Sequence, residues 1–276
     1  MSARTIRPSS FALLVSSFAA VATAFSSARA ADEGKPIRAL LVAGGCCHDY
    51  KHQKDILTKG ISARANVQWK IAYDPDTGTK HLNPIYENDD WAKGFDVVVH
   101  DECSADVKDL KIIDRILKPH REGLPGVVLH CGMHCYRSDG WPKQVTPWFS
   151  FTGLPTTGHG AQLPIAVSYI DRKSPITEGL TDWTTINEEL YNNSAGHILD
   201  TAHALARGKQ GRQDTVTVWT NTYAGKTRVF CTTLGHNNET VGDARYLDLV
   251  TRGLLWSLDK LDAEHLKPAK SVMIGD

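Results

Sequence analysis

Gly126-Val-Val-Leu-His130-Cys131-Gly-Met-His134 is an apolar run that stops at a His-Cys-Gly turn, and how it is read decides the fold. A short apolar run bounded by turn residues fits a strand buried on both faces. The segment before it, Lys108 to Glu122, repeats Leu110, Ile113, Ile116 and Leu117 at helical spacing and closes on Gly123. Helix followed by buried strand is the unit from which parallel sheets are built. In an open α/β sheet, ligands bind beyond the carboxyl ends of the strands. His130, at such an end, is therefore placed for chemistry.

The same grammar extends in both directions. Upstream, Ile37 to Ala43 runs into Gly44-Gly45 as a first strand, and Gln53 to Ala65 reads as a helix. Val67 to Tyr73 alternates as a strand does. Asp74 to Asp90 is a polar excursion, and Phe95 to Val99 is a buried strand ending in His100-Asp101-Glu102. Downstream, Leu163 to Ile170 predicts a strand, and Thr215 to Asn221 with Thr227 to Thr233 predicts an antiparallel hairpin at a sheet edge. Asp243 to Leu258 carries Leu247, Val250, Leu254 and Leu258 on one helical face. The expected fold is α/β, a doubly wound and mostly parallel sheet of the flavodoxin type with an antiparallel edge hairpin. One domain spans Lys35 to Leu261, followed by a short tail, 262–276.

Arg4 and Arg7 precede an apolar segment, Phe11 to Phe25, that ends in Ala28-Arg29-Ala30. A basic start, a short hydrophobic centre and an A-x-A end predict a secretory signal peptide, residues 1–30, and a periplasmic or secreted protein. The apolar segment is shorter than the roughly 20 residues a membrane span needs. With 31 basic and 31 acidic residues the net charge is zero, which gives no broad attraction to nucleic acid or an anionic membrane. A small-molecule partner is expected. Export permits disulfides among the six cysteines, but the sequence assigns no pairs. Mostly buried thiols with one bridge is the plainer reading. No Walker sequence, dinucleotide fingerprint or Cys-x-x-Cys pair occurs, so no nucleotide cofactor is implied. Gly208-Lys209-Gln-Gly211-Arg212 reads as a solvated turn.

Four further histidine-bearing or acidic pieces fall near predicted strand ends or turns. His48 and His236 each follow a strand and a glycine turn, His159 sits between two glycines, and Glu189 lies in Glu188-Glu189-Leu190-Tyr191. Imidazole titrates near neutrality and suits proton transfer, and a carboxylate can orient it or act as base. His130, His236, Glu189, His159 and His48 are the candidate catalytic residues, against the alternatives of structural histidines and of Glu189 capping a helix. Tyr191, Asn237 and Trp141 are candidates for substrate binding. A divalent metal is an option, from the pool His130, His134, His159, His236 and Glu189, although no metal-binding spacing demands it. Cys131, at a strand-to-helix turn, is the alternative nucleophile. Trp91, Trp141, Trp148 and Trp183 are placed to stack on sugar rings or to pack the core.

Seven pieces in order resemble the trehalose-utilisation (ThuA-like) family, whose fold is similar to that of class I glutamine amidotransferases. They are Gly44-Gly45 with His48-Asp49-Tyr50, Gly126 to Gly132, Gly158-His159-Gly160, Ser174-Pro175-Ile176-Thr177, Glu188 to Tyr191, Arg228 to His236, and Arg252 to Trp256. Ser174 stands where the family commonly has His. The resemblance implies carbohydrate metabolism, particularly of disaccharides and their 3-keto derivatives, with a sugar 3-oxidoreductase as pathway partner. A ketone acidifies the neighbouring C2 proton, so a His/Glu site can cleave by elimination and hydration, or isomerise. A conventional glycosidase needs two carboxylates across the bond. Asp101 and Glu102, being adjacent in a strand, point to opposite faces and do not form such a pair. A hydrolase using Cys131 and a non-catalytic sugar-binding protein are the alternatives.

Overall fold

The computed structural model describes residues 35–193 and 197–266. The predicted signal peptide, and the tail beyond Leu266, lie outside them. No helix among the described residues is long and apolar enough to cross a membrane.

Nine strands form one sheet. They are β1 (Ile37–Gly45), β2 (Val67–Asp74), β3 (Val97–Cys103), β4 (Gly126–Leu129), β5 (Thr156–Tyr169), β6 (Trp183–Asn193), β7 (Ala202–Gln210), β8 (Gln213–Tyr223) and β9 (Thr227–Thr232). Their order is β2-β1-β3-β4-β9-β8-β7-β5-β6. The half from β2 to β9 is parallel and the half from β9 to β6 is antiparallel. The mixed α/β class stands as expected, but the sheet is not mostly parallel. Nor is the β8–β9 hairpin at an edge: β9 pairs with β4 and β8 with β7, so the hairpin joins the two halves.

The parallel half follows from its apolar pattern. Along β1, Ala39, Leu41 and Ala43 enter one hydrophobic cluster and Leu40 and Val42 the other, as the two-residue period of a strand requires. Helix α1 (Tyr50–Ser62) buries Gln53, Leu57 and Ile61 at four-residue spacing. Helix α2 (Leu110–Glu122) starts where the Asp109 side chain accepts from Lys111 N and stops at Gly123, with φ 121°. It buries Ile113, Ile116 and Leu117, whereas Leu110 is exposed. A short helix, α3 (Pro147–Thr152), adds Trp148 and Phe151 to the same cluster. Between β2 and β3 a single 3-10 turn, Pro84–Glu87, replaces the helix that strict alternation predicts. Past β9, a single-turn helix α4 (Asn238–Val241) leads to α5 (Ala244–Ser257), capped by Asp243.

The antiparallel half departs most from the sequence reading. The segment read as a solvated turn is the end of β7 and its hairpin into β8, and Glu189 lies inside a strand rather than capping a helix. β5 pairs with β7 only over Ala166 to Tyr169, while Thr156 to Pro164 pairs with β6 alone. The first half of β5 and the facing half of β6 thus form a two-stranded ribbon.

Candidate functional site

Three arms of the site, those carrying His48, His130 and His236, begin at chain reversals after strands. β4 ends at Leu129, and His130 opens a 3-10 turn, His130–His134, rather than ending the strand. His130 adopts φ 40°, a left-handed conformation uncommon outside glycine and costing of order 1–3 kcal/mol. Gly132 follows because a Cβ there would stand 2.9 Å from His100 O, so the turn lies directly on β3. After β9, Gly235 (φ 116°) presses against the Tyr246 hydroxyl, where a Cβ would lie at 2.7 Å. That reversal delivers His236. His48 comes from the β1–α1 turn, and the ribbon supplies the rest: its register sets His159 opposite Tyr191 and Gln162 opposite Glu189.

These arms converge. His48, His130, Glu189 and His236 each offer a ligand atom within 4.8 Å of the others. Glu189 Oε2 is 3.5 Å from His130 Nε2 and 3.1 Å from His236 Nδ1, and its Oε1 is 3.5 Å from His159 Nδ1. The His48 ring lies edge-on to His130 and His236, with centroids at 4.6 and 4.7 Å. His48 Nδ1, His236 Nδ1 and Glu189 Oε2 are buried without a hydrogen bond of good geometry. His130 is oriented by donating from Nδ1 to Thr233 O at 2.7 Å, which leaves Nε2 facing the cluster and the Tyr191 hydroxyl at 3.2 Å. Gln162 holds Nε2 of His236 at 2.8 Å.

The electrostatics keep the cluster's charges apart. Burial, and then the neighbouring His130 and His236, lower the His48 pKa to about 2, so its ring is neutral. Burial works to raise the Glu189 pKa, but contacts with His130 and His236 outweigh it and hold the carboxyl well below the usual carboxylate range. Burial opposes protonation of His236, and Glu189 and Glu188 outweigh it in turn. One carboxylate thus sits among imidazoles that present unpartnered nitrogens.

Three imidazoles and a carboxylate form a donor set suited to a borderline divalent cation such as Zn²⁺. The unpartnered inward atoms fit that role, and the carbonyl on His130 Nδ1 matches the outer contact that orients metal-binding histidines. The cation pool read from the sequence needs correcting in three places. His48 belongs to the group and His134 does not: His134 is buried behind Tyr191, its ring stacked on the phenol at 4.1 Å and 6°. His159 is exposed at the rim and lies outside the four.

Other candidates divide in the same way. Tyr191 is buried beneath the cluster, and Asn237 is half-buried, its N–H donating to Glu188 Oε1 at 3.0 Å. Trp141 is half-exposed, with Arg137 over its ring at 4.7 Å, while Trp91, Trp148 and Trp183 are buried packing. Cys131 is buried, and a hydrogen bond with Cys103 together with burial pushes its thiol pKa well up, the opposite of what activates a thiol nucleophile. Cys46 and Cys47 form a disulfide between adjacent residues, and Cys103, Cys131, Cys135 and Cys231 are free and buried. Sequence reasoning gave no role to Glu188 or Gln162. Glu188 is fully buried, and its two oxygens accept from His236 N at 2.9 Å and Asn237 N at 3.0 Å, fixing the loop that carries His236. No signal in the sequence marks Gln162 or the part played by Glu188.

A cleft of about 390 Å³ opens beside the cluster, walled by Cys47, His48 and Asp49 on one side and by His236 to Glu239 on the other. A sequence model described as ThuA, trehalose utilisation, matches residues 38–257. No curated protein matches the sequence. Two solved ThuA-like proteins are similar in structure. The one from Parabacteroides merdae ATCC 43184 has TM-score 0.62 and 18% identity, covering 86% of this chain and 96% of that one. The one from Bacteroides uniformis ATCC 8492 has TM-score 0.59 and 15% identity, covering 80% and 93%. A β-galactosidase from Rahnella sp. R3 aligns at TM-score 0.51 and 12% identity, over 82% of this chain but 32% of its own. At these identities the likenesses speak for the fold, and the ThuA-like neighbours carry the class I glutamine amidotransferase-like architecture.

Proposed function

The chain belongs to the ThuA, trehalose utilisation, family, and from that premise we propose that it modifies a disaccharide or glycoside at the His48, His130, His236 and Glu189 cluster. The observation that carries this reading is the convergence of unpartnered imidazole nitrogens and one carboxylate at the edge of a cleft large enough for a sugar. The substrate class is a 3-keto sugar. His48, His130, His236 and Glu189 would hold a divalent cation, which would supply Lewis-acid polarisation of the ketone. His159, exposed at the rim and 3.5 Å from Glu189 Oε1, is placed to take the C2 proton. As the C2–H bond breaks, its electron pair forms the enolate, which then expels the glycosidic oxygen at C1. That oxygen takes up a proton, and water adds across the resulting C1=C2 bond, so the net change is hydrolysis. Return of the proton to C2 without cleavage gives isomerisation instead.

Arg4, Arg7, the Phe11 to Phe25 run and Ala28-Arg29-Ala30 support export, and a sugar 3-oxidoreductase would supply the ketone. The test is turnover of 3-keto-trehalose before and after chelation. Loss on chelation and recovery with added Zn²⁺ or Mn²⁺ is the expected result. Full turnover by protein shown by elemental analysis to be metal-free would remove the cation from the proposal, and no turnover under any condition would remove the reaction.

A further inference from the structure

The cleft beside the cluster has one lining side chain without an imidazole, amide or carboxylate, and it is half of a disulfide. Cys47 is exposed and lines the cleft, and it is bonded to the buried Cys46 next to it in sequence. Facing it are His236, Asn237 and Asn238. Among the described residues, no tryptophan or tyrosine lines this space. Trp91, Trp148 and Trp183 are buried, and Trp141 carries Arg137 on its ring.

We infer that the Cys46–Cys47 disulfide is the apolar platform of a pyranose subsite, doing in this cleft what an aromatic ring does in other sugar sites. A pyranose has a C–H face and a rim of hydroxyls, so it needs one apolar wall and one hydrogen-bonding wall. The disulfide supplies the first, because its sulfurs are polarizable and carry no hydrogen to donate. Closing a ring through adjacent residues holds both sulfurs in place. Cys103 backs them, its Sγ 3.4 Å from that of Cys46. The second wall is equally fixed. Asp49 is held by His52 at 2.7 Å and by Asn238 at 2.8 Å, and Asn237 by Glu188 and Asn187. His48 follows Cys47 directly, so a ring lying on the disulfide presents its edge to the cluster. The inference rests on the carbohydrate reading above and adds how the sugar is held.

The experiment uses the purified full-length protein, with trehalose and 3-keto-trehalose as probes in calorimetry and saturation-transfer NMR. Alkylation after denaturation should label four cysteines without reductant and six after dithiothreitol, which gives two electrons and two protons to the disulfide and leaves as its own cyclic disulfide. The oxidised protein should bind, with saturation transferred most strongly to ring C–H protons. After dithiothreitol, and in the double variant Cys46→Ser, Cys47→Ser, affinity should fall at least tenfold and KM rise to match, while kcat stays within about threefold. If the double variant does not fold, reduction of the native protein gives the same comparison. Equal affinity of oxidised and reduced protein, or six labelled cysteines before reduction, would overturn the platform while leaving the carbohydrate reading intact. Failure of the oxidised protein to bind either sugar would overturn both.

Discussion

The molecule holds two histidine–carboxylate clusters, and the proposed function rests on the difference between them. In the closed one, His100 Nδ1 meets Glu102 Oε1 at 2.9 Å and His100 Nε2 meets His120 Nε2 at 3.1 Å. His120 Nδ1 reaches Leu124 O at 2.7 Å, and the Tyr86 hydroxyl donates to Glu102 at 2.6 Å. Every imidazole nitrogen there has a partner, and all four residues are fully buried. In the open cluster, His48 Nδ1 and His236 Nδ1 are buried without a hydrogen bond of good geometry, at the edge of a cleft. Residue type is the same in both. What differs is the place along the strand: His100 and Glu102 sit within β3, whereas His48, His130 and His236 follow strands β1, β4 and β9.

The largest effect should come from the open cluster. His130→Ala and Glu189→Gln should each lower turnover at least a hundredfold with the circular dichroism spectrum unchanged, the usual scale for acid/base groups. Near wild-type rates in both would erase the distinction between the clusters. Tyr86→Phe should do the reverse. It removes the buried hydroxyl that binds Glu102, so stability in urea should fall by about 1–3 kcal/mol while kcat stays the same. A large loss of kcat at full stability would show the closed cluster to be catalytic too.

Asp101 lies between His100 and Glu102 on β3, and burial, then Glu102, raises its pKa from 3.8 to about 7. Between those values the folded state holds a proton that the unfolded state has released. The Asp101 contribution therefore favours folding most below about pH 4 and falls as pH rises towards 7, by at most about 1.4 kcal/mol per pH unit. Asp101→Asn should flatten that slope in urea titrations at several pH values, and an unchanged slope would assign it to other groups. The smallest effect should be that of Cys131→Ser, whose turnover should stay within about twofold. Abolished activity with one fewer thiol would instead make Cys131 the nucleophile.

The legible parts were those where packing alone dictates the sequence. β1, β3 and β4 are apolar on both faces, α2 and α5 carry one apolar stripe, and the period of each fixed its type. The ribbon was hidden because it is not packed that way: Gly158 to Pro164 of β5 is half-exposed or exposed, and β6 runs Trp-Thr-Thr-Ile-Asn-Glu-Glu, with too little alternation to declare a strand. Glycine turns after apolar runs pointed to His48, His130 and His236. Glu189 was read as the one carboxylate beside the histidine pieces, not from periodicity. Gln162 and Glu188 act through register and through backbone amides, which no residue pattern announces.

The role proposed for the open cluster is carbonyl-assisted chemistry on a sugar. Proton NMR in D₂O of the purified protein with 3-keto-trehalose, beside trehalose and beside the Glu189→Gln variant, tests this most directly. The predicted result is deuterium at C2, or loss of the glycosidic linkage, from the keto compound alone and only with the wild-type protein. An unchanged spectrum for the keto compound, or equal reaction by the variant, would contradict it.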